Sequence, residues 1–149
     1  GVLARRETEA RIIAPFFKAL CDKFDKEKVF SILEASILDI SRNQGKQLSK
    51  KYGTDVDAFL KTLEFWMQDG ALEIDILEKN DNKLDFNVTR CKYAEMYSLL
   101  GITDLGEVLS CNRDAALIEG FNSNASLTRE KTIMKGDKCC TFRYSFHEK

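Results

Sequence analysis

At Gly70 the hydrophobic period of this chain changes, and that change limits its folds more than any other feature. Before it, apolar residues recur every three or four positions, as on one face of a helix; after it they alternate with polar ones, as on a strand. Residues 3–24 read as one helix, with Ile13, Phe16, Phe17, Leu20 and Phe24 on its stripe. Pro15 falls inside it and is expected to kink it or start a second segment, since proline removes a backbone donor. A second helix spans 26–51, with Val29, Phe30, Leu33, Ile37 and Ile40 on its apolar side, and Gly53 stops it. Thr54 and Asp57 resemble a capping box opening a third, whose apolar positions are Val56, Phe59, Leu60, Leu63 and Met67.

Beyond Gly70, Leu72, Ile74 and Ile76 alternate with acids, and Leu84, Phe86 and Val88 with polar residues; EKNDNK between them reads as a hairpin turn. Short helices come next at 92–100, 104–110 and 113–121. Strands at 125–134 and 138–146 close the chain, joined at Lys135, Gly136 and Asp137. The pattern predicts an α+β fold: N-terminal helices, then a four-stranded antiparallel sheet in β-β-α-α-β-β order covered by helices. We expect one domain over 1–149, with a helical portion (1–70) and an α+β ligand-binding portion (71–149).

Composition narrows the function. A formal charge of −1 opposes a dedicated polyanion binder. The basic excess of residues 1–53 has no aromatic interleaving, so no nucleic-acid partner is expected. No apolar run approaches the ~20 residues of a membrane span. Five cysteines, an odd number without even spacing and without a preceding signal peptide, predict a reduced, cytoplasmic setting. The apolar residues of the first helices would serve self-association into a homo-oligomer or burial within one domain equally well.

Strand parity places the polar groups. Cys140, Phe142, Tyr144 and Phe146 point one way, and Cys139, Thr141, Arg143 and Ser145 the other. Arg90 shares parity with Leu84, Phe86 and Val88, and Arg129 with Leu127 and Ile133, which puts both arginines on the apolar side or its rim. On the helix at 113–121 the stripe is Leu117, Ile118 and Phe121, with Asp114 one turn before it. Cys111, three residues earlier, would lie beside that carboxylate. A carboxylate there needs a cation, from Arg90 or Arg129. The pair is then either a buried structural ion pair or part of a site for a polar ligand.

Cys91 precedes the helix KYAEMYSLL, where free amides and the dipole would depress a thiol pKa. Glu95, one turn on, either serves as acid or base or caps the helix and pairs with a nearby lysine. Tyr93, Met96, Tyr97 and Leu100 are core or pocket wall. The lone histidine, His147, lies in a charged tail, which weakens histidine-based triads and zinc sites. No C-x-x-C pair occurs. Zinc held by Cys91, Cys111, Cys140 and Asp114 is conceivable but has no spacing signature, so no cofactor is expected. Phosphate-cradling glycine loops and the G-x-S-x-G elbow are also missing from the sequence.

Five ordered blocks, NVTRCKYAEMY, LGITDLGEVLSCNRD, EGFN, LTREKTIMKG and CCTFRY, resemble the L-2-amino-thiazoline-4-carboxylic acid hydrolase family. LARRETEARI and the helices after it fit more loosely. The C-terminal half is also similar to vinyl-reductase-type small-molecule-binding domains, down to a glycine, three residues and a cysteine in the final strand. Some sensors of that type hold zinc with extra acidic and cysteine ligands on the preceding strand, which here reads LTREKTIM, without a cysteine. Ser123 stands where the family pattern suggests proline, and Cys139 where another residue is commoner.

The resemblance implies a hydrolase that opens a 2-aminothiazoline ring to a carbamoyl-cysteine. Such chemistry requires a nucleophile, a carboxylate for the amidine, a proton carrier and a cation for the substrate carboxylate. Cys111 is the first candidate nucleophile and Cys91 the second. Asp114 would hold the amidine, Glu95 would move protons, and Arg129 and Arg90 would grip the carboxylate. Cys140, Tyr97 and Phe121 would line the pocket. The competing readings are a non-catalytic small-molecule sensor and a helix-mediated oligomer without a pocket.

Overall fold

The computed structural model describes residues 1–147. Three helices come first: α1 (Val2–Cys21), α2 (Lys26–Tyr52) and α3 (Val56–Met67). The hairpin β1 (Leu72–Asn80) and β2 (Lys83–Cys91) is next, then α4 (Lys92–Leu99). Beyond it, α5 (Thr103–Gly106) runs through a single π turn (Glu107–Cys111) into α6 (Arg113–Phe121). Strands β3 (Ala125–Thr128) and β4 (Cys140–Phe146) complete an antiparallel sheet of order β1-β2-β4-β3. The α+β class and the helices-then-sheet order are as the periodicity predicts. Among the described residues, no helix is long and apolar enough to cross a membrane.

Several local expectations are corrected. Pro15 starts no new segment: α1 is one helix, and Pro15 is exposed, so water can reach the carbonyl it leaves without a donor. The buried stripe of α1 is Val2, Arg6 and Ala10, while Phe16 and Phe24 are exposed. The cap of α3 is Asp55, whose carboxylate accepts from the Ala58 amide at 2.8 Å; Asp57 pairs with Lys79 instead. Ile40 faces solvent, and α2 buries Ile37, Ser41 and Gly45, one turn apart.

That small-residue stripe lets α2 lie directly on α6. A Cβ on Gly45 would fall 2.1 Å from the Leu117 carbonyl, and one on Gly120 only 1.9 Å from that of Arg42. Ser41 Oγ donates to the Arg113 carbonyl at 2.8 Å within the same contact. The first turn of α6, which carries Arg113 and Asp114, is thereby fixed in position.

The sheet departs from simple alternation at one consequential point. Ile74 pairs with Val88 and Glu73 with Arg90, so Thr89 is an extra residue in β2. Such a bulge inverts the facing of the residues beyond it. Arg90 turns outward and Cys91 inward, the reverse of the parity expectation for Arg90. Strand β3 is also shorter than predicted. It ends at Thr128, and the chain turns through a 3-10 turn (Ile133–Lys135), closed by Gly136 at φ 101°. Thr132 Oγ1 accepts from the Lys135 amide, and Asp137 accepts from that of Thr132, holding this excursion off the sheet edge.

Among the described residues, two apolar clusters result. One joins the inner sheet face to α3 and α6 around Phe59, Phe86, Ile118 and Tyr144; the other joins α1, α4 and the π turn around Ala10, Tyr97 and Leu109. Trp66, Leu72 and Cys91 pack against both.

Candidate active site

A cavity of about 90 Å³ lies where the two clusters meet. It is far below the roughly 300–1,000 Å³ of general small-molecule sites, which limits a ligand to about one small ring. Its wall on the sheet side is aromatic: Phe86 and Phe142 stack with centroids 4.8 Å apart, and Tyr144 continues the row. Cys91, Cys111 and Cys140 all line it. Among the described residues, three arginines, Arg6, Arg113 and Arg129, and one acidic residue, Asp114, line it as well.

Local folding explains each placement. The bulge at Thr89 aims Cys91 inward, and as N-cap of α4 its sulfur accepts from the Ala94 amide at 3.4 Å. The π turn ends at Cys111 with the Asn112 amide bonded to the Glu107 carbonyl at 2.8 Å; such single turns recur at functional sites. Cys140 opens β4 and accepts from the Ile133 amide at 3.2 Å. Among the described residues, no hydrogen bond engages the Cys111 thiol, so it is the uncommitted sulfur of the three.

Arg129 ties the site together. Leaving the end of β3, it donates to Asp114 Oδ2 at 2.6 Å through Nη1 and to the Cys111 carbonyl at 2.8 Å through Nη2. Its guanidinium lies 4.9 Å from the centre of the Phe142 ring. One cation thus orients both the backbone of Cys111 and the carboxylate of Asp114.

The electrostatics correct the expectation for Cys91. Burial pushes its thiol up to about 11, outweighing the Ala94 amide that favours thiolate. Burial raises Cys111 further, reinforced by the negative charge of Asp114 and opposed by Arg129. Both thiols are therefore protonated at neutral pH in the free protein. Burial raises the Asp114 carboxyl as well, against the pull of Arg129. Arg129 itself is raised: burial works against its charge, but Asp114 prevails. Arg113 is lowered to about 10, by burial first and by the charge of Arg6 next.

Five of the expected site residues, Cys91, Cys111, Asp114, Arg129 and Cys140, share the cavity, while four lie elsewhere. Arg90 and Glu95 form an exposed pair at 2.9 Å, extended to Glu73 at 3.7 Å. Tyr97 is buried behind the site, its hydroxyl 2.7 Å from Ser110 Oγ. Phe121 packs into the helix–sheet core, 5.3 Å from the Phe59 ring. Arg6 and Arg113 were not legible as site residues from charge pattern alone. The available signal was position: Arg6 lies midway between Val2 and Ala10 on a buried stripe, and Arg113 one turn before Leu117. Among the described residues, no three His, Cys, Asp or Glu side chains converge as ligands of one metal ion. The three cysteines and Asp114 line one cavity.

A family model described as L-2-amino-thiazoline-4-carboxylic acid hydrolase matches residues 5–144, a span that holds every residue lining the cavity. No curated protein matches the chain.

Proposed function

The chain belongs to the L-2-amino-thiazoline-4-carboxylic acid hydrolase family, and from that premise we propose that its cavity opens a 2-aminothiazoline-4-carboxylate or closely related cyclic amidine to a ureido acid. The observation that carries the proposal is the opening of an uncommitted thiol, Cys111, and a guanidinium-held carboxylate, Asp114, onto one cavity sized for one small ring.

The protonated thiol sets the order of events. The neutral amidine is the base: the Cys111 proton passes to its ring nitrogen as sulfur bonds to the amidine carbon. Asp114 accepts hydrogen bonds from the exocyclic nitrogen and stabilises the positive charge that develops there. The ring carbon–sulfur bond then breaks, and the departing sulfur takes a proton from the nitrogen. An isothiourea on Cys111 remains. Water adds to the same carbon, giving its proton to Asp114. The added hydroxyl passes its proton to the nitrogen, the carbonyl forms as the bond to Cys111 breaks, and the departing thiolate recovers the proton held by Asp114. The net change is one water added, and both nitrogens stay in the product. Arg129 acts through Asp114, as its positioning residue.

The elevated thiols favour one other reading, a binding domain that holds such a ring without opening it. Incubation of the purified protein with 2-aminothiazoline-4-carboxylate separates the two. We expect a product heavier by one water that carries a new free thiol. Saturable binding with an unchanged ring would favour the binding domain, and neither binding nor product would remove both readings.

A further inference from the structure

Among the described residues, three arginines and one acidic residue line the cavity, and of these arginines Arg129 is the one paired with Asp114. Arg6 and Arg113 are more than nine-tenths buried, with 3% and 7% of their surface exposed. Their shared counter-ion is Glu9, outside the cavity lining and one-third exposed. Both Glu9 oxygens bond Nη1 of Arg6, at 3.1 and 3.0 Å, whereas Arg113 comes no nearer than 4.0 Å. Among the described residues, the Arg113 side chain makes one hydrogen bond, a long one of 3.4 Å to the Leu109 carbonyl.

Two buried guanidinium groups facing one partly hydrated carboxylate leave a positive charge uncompensated, which is unfavourable unless an anion joins them. Among the described residues, Asp85 Oδ1 is the one fully buried side-chain polar atom without a partner. Arg6 and Arg113 both line the cavity, which is the open space beside them that an anion could enter.

We propose that Arg6 and Arg113 form a receptor for the ligand's carboxylate and set the specificity of the site for an anionic ring. Their planar donor forks suit a carboxylate. Because Arg113 and Asp114 are adjacent on α6, their side chains diverge around the helix. Cationic and anionic subsites thus lie side by side, matching a ring with an amidine on one side and a carboxylate on the other. The assignment rests on the cavity being a ring-binding site, but not on turnover. It replaces Arg90 and relieves Arg129 in the role the sequence suggested for them.

The test uses two unreactive probes, thiazole-4-carboxylate and thiazole-4-carboxamide, titrated calorimetrically into the protein. We expect the acid to bind about 100-fold more tightly than the amide, because the amide leaves buried cations unpaired. R113M should reduce that preference to below about fivefold. E9Q, which removes the competing internal carboxylate, should tighten acid binding by about threefold or more, and carries the test if R113M does not fold. Equal binding of both probes, or a preference surviving R113M and unmoved by E9Q, overturns the receptor. Ring opening without acid preference would sink the receptor and leave the hydrolase standing. An Arg113-dependent preference without ring opening would do the reverse.

Discussion

Cys111→Ala is expected to lower kcat/KM for ring opening by about a thousandfold or more, because the sulfurs of Cys91 and Cys140 in the same cavity are engaged by backbone amides. Cys91 gives the sharpest comparison. Its thiol lines the same cavity, yet its sulfur accepts from the Ala94 amide as a helix cap. Cys91→Ala should therefore keep kcat within about tenfold of wild type, with its main effect on stability through the lost cap, at about 1 kcal/mol. Steady-state rates on both variants, with circular dichroism to establish folding, decide the matter. A folded Cys111→Ala protein with near wild-type turnover would mean that water attacks directly with Asp114 as base, and that the thiols are wall residues. The raised pKa of Cys111 is compatible with its role because the substrate's own nitrogen accepts the proton.

Gly120→Ala should destabilise the fold by about 3 kcal/mol or more, lowering Tm by roughly 10 °C for a chain of this size. Two effects oppose each other. Helix propensity favours alanine over glycine by about 1 kcal/mol, so an isolated α6 would gain. In the folded chain the added Cβ lies 1.9 Å from the Arg42 carbonyl oxygen, a backbone atom with no flexible side chain to yield. The helices must separate, which strains the Ser41 bond to the Arg113 carbonyl and loosens packing along α2. The steric penalty wins, and thermal unfolding of Gly120→Ala reports the sign. Glu119→Ala is the control: Glu119 is exposed beside Gly120, makes one 3.4 Å contact with Arg42, and should move stability by less than about 0.5 kcal/mol. The Gly120 substitution also displaces the first turn of α6, so Gly120→Ala should impair turnover without touching the cavity.

Much of the fold was legible because periodicity is local. The period change after Gly70 marks where helices give way to sheet, and the hairpin turn falls inside EKNDNK, at residues 81–82. Three kinds of information were not local. A one-residue bulge at Thr89 leaves no compositional trace, yet it exchanges the facing of Arg90 and Cys91. The contact of Gly45 with α6 joins residues far apart in sequence, and a period analysis of α2 notices only its large apolar residues, Ile40 among them. Arg6 reads as a surface charge until one sees that its helix buries Val2 and Ala10 on either side. Cys111 and Asp114 were recoverable because three positions on one helical stretch keep two groups together. Arg129 reaches them although the strand expected to orient it stops one residue short, since its long side chain leaves the end of β3 toward the site.

The most direct test of ring opening at Cys111 is the mass of the wild-type protein quenched within a single turnover of 2-aminothiazoline-4-carboxylate. The covalent route predicts protein heavier by one substrate molecule, with the label mapping to the peptide that contains Cys111, decaying as the ureido acid appears. Product formed at full rate with no adduct on Cys111, or an adduct on Cys91 instead, would contradict it.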